Sequence, residues 1–374
     1  MAALTITGMT VRTLHLPVRS ARSQGVGTVA DGVTNVFVEL TTDAGITGWG
    51  EAAPWAVFTD TAEAAVGALH VHFRPFVVGA DAFRIEEIMG RARRAVVHSP
   101  EAKAALEMAL YDIVGKAVGA PVHVLLGGKV RDTVPLSISI ANPDFEKDLE
   151  VLPALLADGL RLFKVKTGFS NHAKDLARLE GLREVMPDDV DLRVDFNQGL
   201  DCWDALPKLR DVEAFAPTFI EQPVPADKMD VMADLAAALD TPLMADESVF
   251  DPTDALRAVG LRAADLFSVK IHKSGGMGPA RAVATIAEAA GIACYGGSMF
   301  ETGLSCMAGV QMIAATANIS LGCEFYQPTY YLAEDVLAAP FPVANGEIVI
   351  PDGPGLGIEV DPDQIAKYET AHWD

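Results

Sequence analysis

The sequence predicts an α/β protein, a closed (β/α) barrel accompanied by a small α+β domain. Three observations carry this prediction. From Val134 onward, short β-type runs alternate with amphipathic segments, which is the pattern of strand–helix units on a parallel sheet. Eight such runs follow one another, the number that closes a barrel. Before them, residues 1 to about 128 show a hairpin and helical patterns without that alternation. An open doubly wound sheet is the alternative arrangement of the same units.

Taken in order, Thr34–Leu40 and Ile46–Glu51 are β-rich runs on either side of Thr41-Thr-Asp-Ala-Gly45, an Asp/Gly turn that predicts a hairpin. Ala62–Val77 and Pro100–Val118 carry apolar residues at three-to-four spacing, and the second runs into Gly119-Ala-Pro121, a helix stop signal. The β-type runs follow at Val134–Ile140, Leu160–Lys166, Leu192–Phe196, Thr218–Glu221, Leu243–Asp246, Leu266–Ile271, Ile292–Tyr295 and Ile319–Glu324. Helical segments between them include Ala173–Met186, Met229–Leu239, Thr253–Val259 and Pro279–Ala290. From about Leu332, Asn345-Gly346 and Gly353-Pro-Gly-Leu-Gly357 predict turns and short strands. No internal repeat or low-complexity linker separates the two regions.

Composition narrows the function. The 374 residues include 29 Lys+Arg against 51 Asp+Glu, a formal net charge of −22. Nucleic-acid binding needs a basic surface, so it is excluded. With 50% hydrophobic and 21% charged residues, the chain has material for a large core, and wholesale disorder is excluded. Cys202, Cys294, Cys306 and Cys323 form no CxxC pair, as expected for reduced thiols in a cytoplasmic enzyme. No basic leader precedes an apolar run, and no stretch approaches the ~18 apolar residues of a membrane span.

The informative charges sit on the predicted strands. Lys164 and Lys166 end the second run, Asp195 the third, Glu221 the fourth, Asp246 the fifth, Lys270 the sixth and Glu324 the eighth. They recur at steps of roughly one strand–helix unit, which places them on one rim at the carboxyl ends of the strands, where barrel enzymes build their active sites. Three carboxylates converging near an apolar interior repel one another unless a cation joins them. Hard oxygen donors without nearby Cys or His point to Mg²⁺, or Mn²⁺, held by Asp195, Glu221 and Asp246. A lone aspartate at such a place also suits a helix N-cap, but three in step disfavour that reading. Lys164 and Lys166 are two apart and face the same side. Neighbouring ammonium groups disfavour each other's charge, so a lowered Lys166 is expected to serve as a base. Lys270 approaches from across the barrel.

Five runs, Phe163-Lys-Val-Lys166, Arg193-Val-Asp-Phe-Asn-Gln198, Ile220-Glu-Gln-Pro223, Ala245-Asp-Glu-Ser248 and Val269-Lys-Ile-His-Lys-Ser-Gly-Gly276, resemble the enolase superfamily, in its muconate lactonizing subgroup. The similarity extends over nearly the whole chain, including Ala109-Leu-Tyr-Asp-Ile113, Val124-Leu-Leu-Gly-Gly128 and Gly353-Pro-Gly-Leu-Gly357. The resemblance implies a (β/α)7β modified TIM barrel over residues 129–330, an α+β capping domain over 1–128, and a C-terminal segment, 331–374, returning to that cap. It implies Asp195, Glu221 and Asp246 as ligands of Mg²⁺ (or Mn²⁺), Lys166 and Lys270 as the acid/base pair, and Lys164 as their supporting lysine. Tyr295-Gly-Gly-Ser-Met-Phe-Glu301-Thr-Gly and Gly322-Cys-Glu324 look most like the muconate cycloisomerase type, which implies that Glu324 adjoins the substrate. The implied chemistry is proton transfer on a carboxylate substrate through a metal-stabilised enediolate. A racemase or epimerase of N-acyl or modified amino acids, or an o-succinylbenzoate synthase, is the alternative on the same scaffold, and a non-catalytic relative that only binds an organic acid is the alternative from another class.

Departures from other branches sharpen this. The mandelate racemase and sugar-acid dehydratase branches place a catalytic His on the seventh strand, whereas here that strand ends Cys294-Tyr295-Gly296. Dipeptide epimerases carry an Asp-x-Asp pair for the substrate ammonium, which Ser298-Met-Phe-Glu301 lacks. The expected partners are a small-molecule carboxylate and further copies of the chain in a homo-oligomer, with neither nucleic acid nor membrane.

Weaker signals remain. Gly25-Val-Gly-Thr-Val-Ala30 fits a dinucleotide fingerprint, but no strand–helix unit surrounds it, and a flexible loop over the site mouth is the better reading. Ser274-Gly-Gly-Met-Gly278 reads as a strand-to-helix turn rather than a phosphate cradle. Trp49, Trp55 and Phe58 are candidates for substrate contact or for packing between cap and barrel. His272 reads as structural, and Asn197 and Glu247 as supports of the ligands beside them.

Overall fold

The computed structural model describes residues 3–374. Its first layer is an antiparallel sheet of β1 (Ile6–Pro17), β2 (Gly32–Thr42) and β3 (Thr47–Ala52), against which helix α1 (Pro100–Val118) packs. Strands β2 and β3 are the predicted hairpin, with Val36 opposite Ala52 and Thr41 opposite Thr47. Ile6, Val11, Val36, Val38 and Leu40 join Phe73, Leu106, Leu110 and Ile113 in a core of their own. α1 begins with Pro100 in its first turn, where a missing N–H costs nothing. It stops at Gly119, whose left-handed φ of 68° closes the helix as the sequence signal required.

The segment Ala62–Val77, expected as one helix, is interrupted. α-Helical turns at Ala62–Val66 and Arg74–Val77 flank a π-helical stretch, Gly67–Phe73. Pro75 has no N–H to return to the preceding turn, and the helix widens ahead of it.

The barrel strands are β4 (Ser137–Ile140), β5 (Leu162–Lys166), β6 (Asp191–Asp195), β7 (Ile220–Glu221), β8 (Leu243–Ala245), β9 (Leu266–Val269), β10 (Ala293–Gly296) and β11 (Ile319–Cys323). They pair in sequence order, all parallel. A parallel bridge between Leu136 and Cys323 joins the first strand region to the last, so the sheet is a barrel and not the open alternative. A helix follows each of the first seven strands, including His172–Val185, Met229–Ala238, Pro252–Leu261 and Met277–Ala289, with a short extra turn, Ile271–Ser274, before the last of these, which makes the architecture (β/α)7β. The predicted run Val134–Ile140 is divided. Thr133–Pro135 pairs instead with Glu347–Val349 in a small outer sheet, and only Ser137–Ile140 enters the barrel.

Inside the barrel, Phe219, Met244 and Tyr295 form a layer beneath the carboxyl-end rim. The Arg193 guanidinium lies 5.1 Å from both the Phe219 and Tyr295 ring centroids and donates to the Leu321 carbonyl at 2.9 Å. This layer floors the site. The tail carries the expected turns and short strands, but also an unexpected helix, Pro362–Tyr368, started by the Asp361 side chain. It leads into β12 (Glu369–Trp373), which pairs antiparallel with β1, completing the capping sheet in the order β12-β1-β2-β3. Among the described residues, no helix is long and apolar enough to cross a membrane.

Candidate active site

The strand register brings the predicted charges together. Lys166 on β5 lies opposite Asp195 on β6, and Asp195 lies opposite Glu221 on β7, so the three share one row. Lys164, two residues earlier, points to the same interior. Asp246, Lys270 and Glu324 each stand one residue beyond the end of β8, β9 and β11. All seven predicted site residues therefore reach the carboxyl-end rim, and all are buried.

Their contacts are ionic. The Lys164 ammonium donates to Glu221 Oε2 at 2.6 Å, lies 2.6 Å from Glu324 Oε2 and 3.3 Å from Asp195 Oδ2, and sits 5.4 Å from the Tyr295 ring centroid. Lys166 donates to Asp195 Oδ2 at 2.5 Å and to Asn197 Oδ1 at 3.0 Å. Lys270 donates to Asp246 Oδ2 at 2.5 Å, with Phe58 covering it 4.3 Å from the ring centroid. Glu324 also accepts from the Ser139 hydroxyl.

Electrostatics follow from burial and these pairs. Burial alone would lower Lys164, yet Glu221, Glu324 and Asp195 raise it well above the ordinary lysine range. At Lys164, three carboxylates outweigh one like-charged neighbour. Burial opposes ionisation of Asp195, but Lys166 and Lys164 hold its carboxyl below the usual range. Burial likewise opposes charge on Asp246, and Lys270 with Lys273 holds it low. Glu221 goes the other way: burial, then the negative neighbours Asp195 and Asp246, push it up to about 8.

The fit of a divalent cation can be tested on these residues. Among the described residues, no three His, Cys, Asp or Glu side chains form a ready-made metal cage; the nearest partners of Asp195, Glu221 and Asp246 are lysine ammonium groups. Even so, Glu221 Oε1 is buried with no hydrogen-bond partner, and Glu221 is raised by the negative charge of both other carboxylates. A buried oxygen without a donor, in an all-carboxylate set on adjacent strands, is what a hard divalent cation satisfies.

The sequence reading missed several supporting residues. Lys273 donates to Asp246 Oδ1 and to its carbonyl, both at 2.7 Å. Gln222 donates to Ser248 Oγ at 2.8 Å and to the Val224 carbonyl at 3.0 Å, while its own oxygen accepts from the Asp246 and Ser248 amides at 3.0 and 3.1 Å. It thus ties the loop after Glu221 to the loop holding Asp246. Asn197, Gln198 and Gln222 all have left-handed backbones, with φ of 41°, 66° and 33°. Such strain in residues with side chains collects at functional sites. Asn197 and Glu247, both expected from the sequence to support the ligands beside them, are joined by an Asn197 hydrogen bond of 3.0 Å to Glu247. The signal for Lys273 and Gln222 was their place in the quoted motifs; nothing in spacing alone marked them.

A cavity of about 30 Å³ is lined by Lys166, Lys270, Asn197, Glu324, Trp55, Phe58 and Arg22 among others. Arg22 is buried, lies 4.7 Å from the ring centroids of Tyr326 and Tyr331, and donates to the Ser139 carbonyl at 2.6 Å. Of the two roles left open for these aromatics, Trp55 and Phe58 line the cavity, whereas Trp49 packs between cap and barrel. It lies on β3, where its amide donates to Asp112 at 3.1 Å. The Gly25–Ala30 segment is part of a ribbon, Arg22–Gln24 with Gly27–Val29, laid over the mouth. A Cβ at Gly25 would stand 2.0 Å from the Phe196 carbonyl, so glycine serves close docking here rather than a phosphate.

Comparisons with known proteins agree with this geometry. Residues 4–127 match the model of the mandelate racemase / muconate lactonizing enzyme N-terminal domain, and residues 149–364 match the enolase C-terminal domain-like model. A muconate cycloisomerase from Azorhizobium caulinodans is 46% identical and superimposes with a TM-score of 0.86, covering 99% of both chains. The chloromuconate cycloisomerase of Cupriavidus pinatubonensis is 36% identical over 343 residues, 90% of this chain and 92% of that one. The L-Ala-D/L-Glu epimerase of Bacillus subtilis is 35% identical over 327 residues, 87% of this chain and 88% of that one. With the barrel, the cap and the charged rim already in place, these matches establish that the chain belongs to the enolase superfamily, as an isomerase of its muconate lactonizing branch.

Proposed function

We propose that the protein is a metal-dependent cycloisomerase of muconate type, acting on a small dicarboxylate with lysine acid/base chemistry. The observation that carries this reading is that Lys166 and Lys270, from the second and sixth of eight barrel strands, line one cavity from opposite sides beside the carboxylate rim. Asp195, Glu221 and Asp246 would hold Mg²⁺ or Mn²⁺ there. When bound, the cation supplies fixed positive charge that stabilises negative charge developing on a substrate carboxylate, an effect of several kcal/mol.

The chain's own residues do the rest. One carboxylate of cis,cis-muconate adds across a conjugated double bond to close a lactone, and Lys166 delivers the proton to carbon. In the reverse direction it removes that proton. Lys164, ion-paired with Glu221 and Glu324, balances the charge around the rim. Arg22, buried in the cavity wall, offers a positive charge to the second carboxylate. Trp55, Phe58 and Phe300 exclude water around the reacting carbons.

A second reading, racemisation or epimerisation of an N-acyl or otherwise modified amino acid, is favoured by the same opposed lysines, since each would serve one face of the α-carbon. Incubation with cis,cis-muconate and Mn²⁺ in D₂O separates the two. A lactone carrying one deuterium supports the cycloisomerase. α-Hydrogen exchange in N-acyl amino acids without lactone formation supports the epimerase, and inertness toward a broad carboxylate panel overturns both.

A further inference from the structure

We propose that Glu101 is a positioning residue that clamps the Trp55–Thr59 segment of the cap over Lys270. This rests on the reading that Lys270 faces the substrate; the clamp itself stands on geometry outside the charged rim. Glu101, at the start of α1, is fully buried and gathers three segments on one carboxylate. Its Oε2 accepts from the Ala53 amide at 2.9 Å, two residues before Trp55, and its Oε1 accepts from the Thr59 hydroxyl at 2.7 Å, one residue after Phe58. The His272 ring, two residues beyond Lys270, lies 2.8 Å from the same Oε2. Both ends of the covering segment are thereby fixed to one group, and that group is fixed to the chain carrying Lys270.

Neighbouring contacts serve the same arrangement. Within the segment, the Phe58 and Thr59 amides donate to the Trp55 carbonyl at 2.8 and 3.0 Å, forming a tight turn. That turn aims Phe58 at Lys270, 4.3 Å from its ammonium, and stacks it on Phe250 at 5.8 Å. Trp55 meets Phe300 edge-on at 5.3 Å. Ser99, just ahead of α1, donates to Asp60 at 2.8 Å, and Ser305 contacts the other nitrogen of His272 at 2.6 Å. Val57, at the tip of the segment, is exposed. Burial would discharge His272, but Glu101 keeps its imidazole protonated to about 9, so the clamp pairs full charges at neutral pH.

The test uses the full-length chain and two readouts that need no turnover: amide hydrogen exchange of residues 53–60, and reductive methylation of Lys270 followed by mass spectrometry. Thr59→Val removes one anchor without disturbing a buried charge, and Glu101→Gln weakens all three. Each variant is expected to raise exchange in 53–60 by about tenfold, as loss of one hydrogen bond to a charged acceptor implies, and to expose Lys270 to labelling. Exchange in the barrel strands stays at the native rate, and Thr59→Ser restores both protections. Unchanged protection of 53–60 and of Lys270 in Thr59→Val, or a uniform rise over the whole chain, overturns the clamp. If the native protein fails to convert cis,cis-muconate, the proposed reaction falls while these two readouts still decide the clamp.

Discussion

At the scale of single residues, the site separates side chains that touch a substrate from those that hold others in place. Lys166→Ala is expected to abolish turnover, a loss of several orders of magnitude, while Mn²⁺ binding remains measurable by calorimetry. Retained activity in that variant would contradict its role. Gln222 makes four hydrogen bonds between the loops of Glu221 and Asp246. Gln222→Leu is therefore expected to weaken Mn²⁺ binding by about 10–100-fold, the usual effect of losing a group that orients metal ligands. An unchanged Mn²⁺ dissociation constant would remove Gln222 from that part. The charged rim was legible in the sequence because a Lys, Asp or Glu at the end of an apolar strand is conspicuous. Arg22 was not, because its place over the cavity depends on how a ribbon of the cap folds back across the barrel, which no local pattern records.

At the scale of elements, α1 shows where sequence reading succeeds and where it stops. Its ends were readable from Pro100 and Gly119, but its surroundings were not. Residues Glu101, Glu107 and Asp112 suggest a wet face, yet all are buried between the capping sheet and the barrel, each serving backbone amides of other segments. Glu107 accepts from the Gly278 amide at 3.1 Å, at the start of the helix Met277–Ala289. Burial pushes its carboxyl up to about 7, from an ordinary 4.5. The sign follows from linkage: between pH 4.5 and 7 the folded chain keeps a proton that the unfolded chain has lost, so stability falls as pH rises through that window. Glu107→Gln removes this titration. Relative to the native chain it should gain about 1–3 kcal/mol between pH 5 and pH 8, read as a growing difference in melting midpoint. A difference that stays constant with pH would show that Glu107 does not hold the proton. The divided run Val134–Ile140 and the π-helical turn Gly67–Phe73 were illegible for a related reason: long-range pairing and a helix distortion each overrode a locally continuous pattern.

At the scale of the whole molecule, cap and barrel meet through buried ionisable groups. Glu51 on β3 accepts from Asn35 at 2.7 Å and from the Thr302 amide and hydroxyl at 2.9 and 2.7 Å, and burial pushes it up to about 7. Glu301 is raised to about 7 by burial as well. Both therefore lose stability as pH rises from 4.5 to 7. His272, raised to about 9 by its ion pair despite burial, contributes stability that is complete below 6.5 and lost as pH rises through 9. All three point the same way, so the melting midpoint of the metal-free protein should fall steadily from about pH 5.5 to pH 9. A midpoint that is flat or rises across that range would show that the interface does not titrate as its geometry implies. The two-part architecture itself was visible as the switch from a hairpin to strand–helix alternation. The final strand was less so, because β12 is short and half-exposed and takes its identity from its partner. That pairing joins Val11 to Trp373 across nearly the whole chain. During synthesis, at about 5–20 residues per second, the outer edge of β1 thus waits roughly 20–70 s for its neighbour. Throughout that interval an unpaired row of backbone donors and acceptors is open to any passing strand.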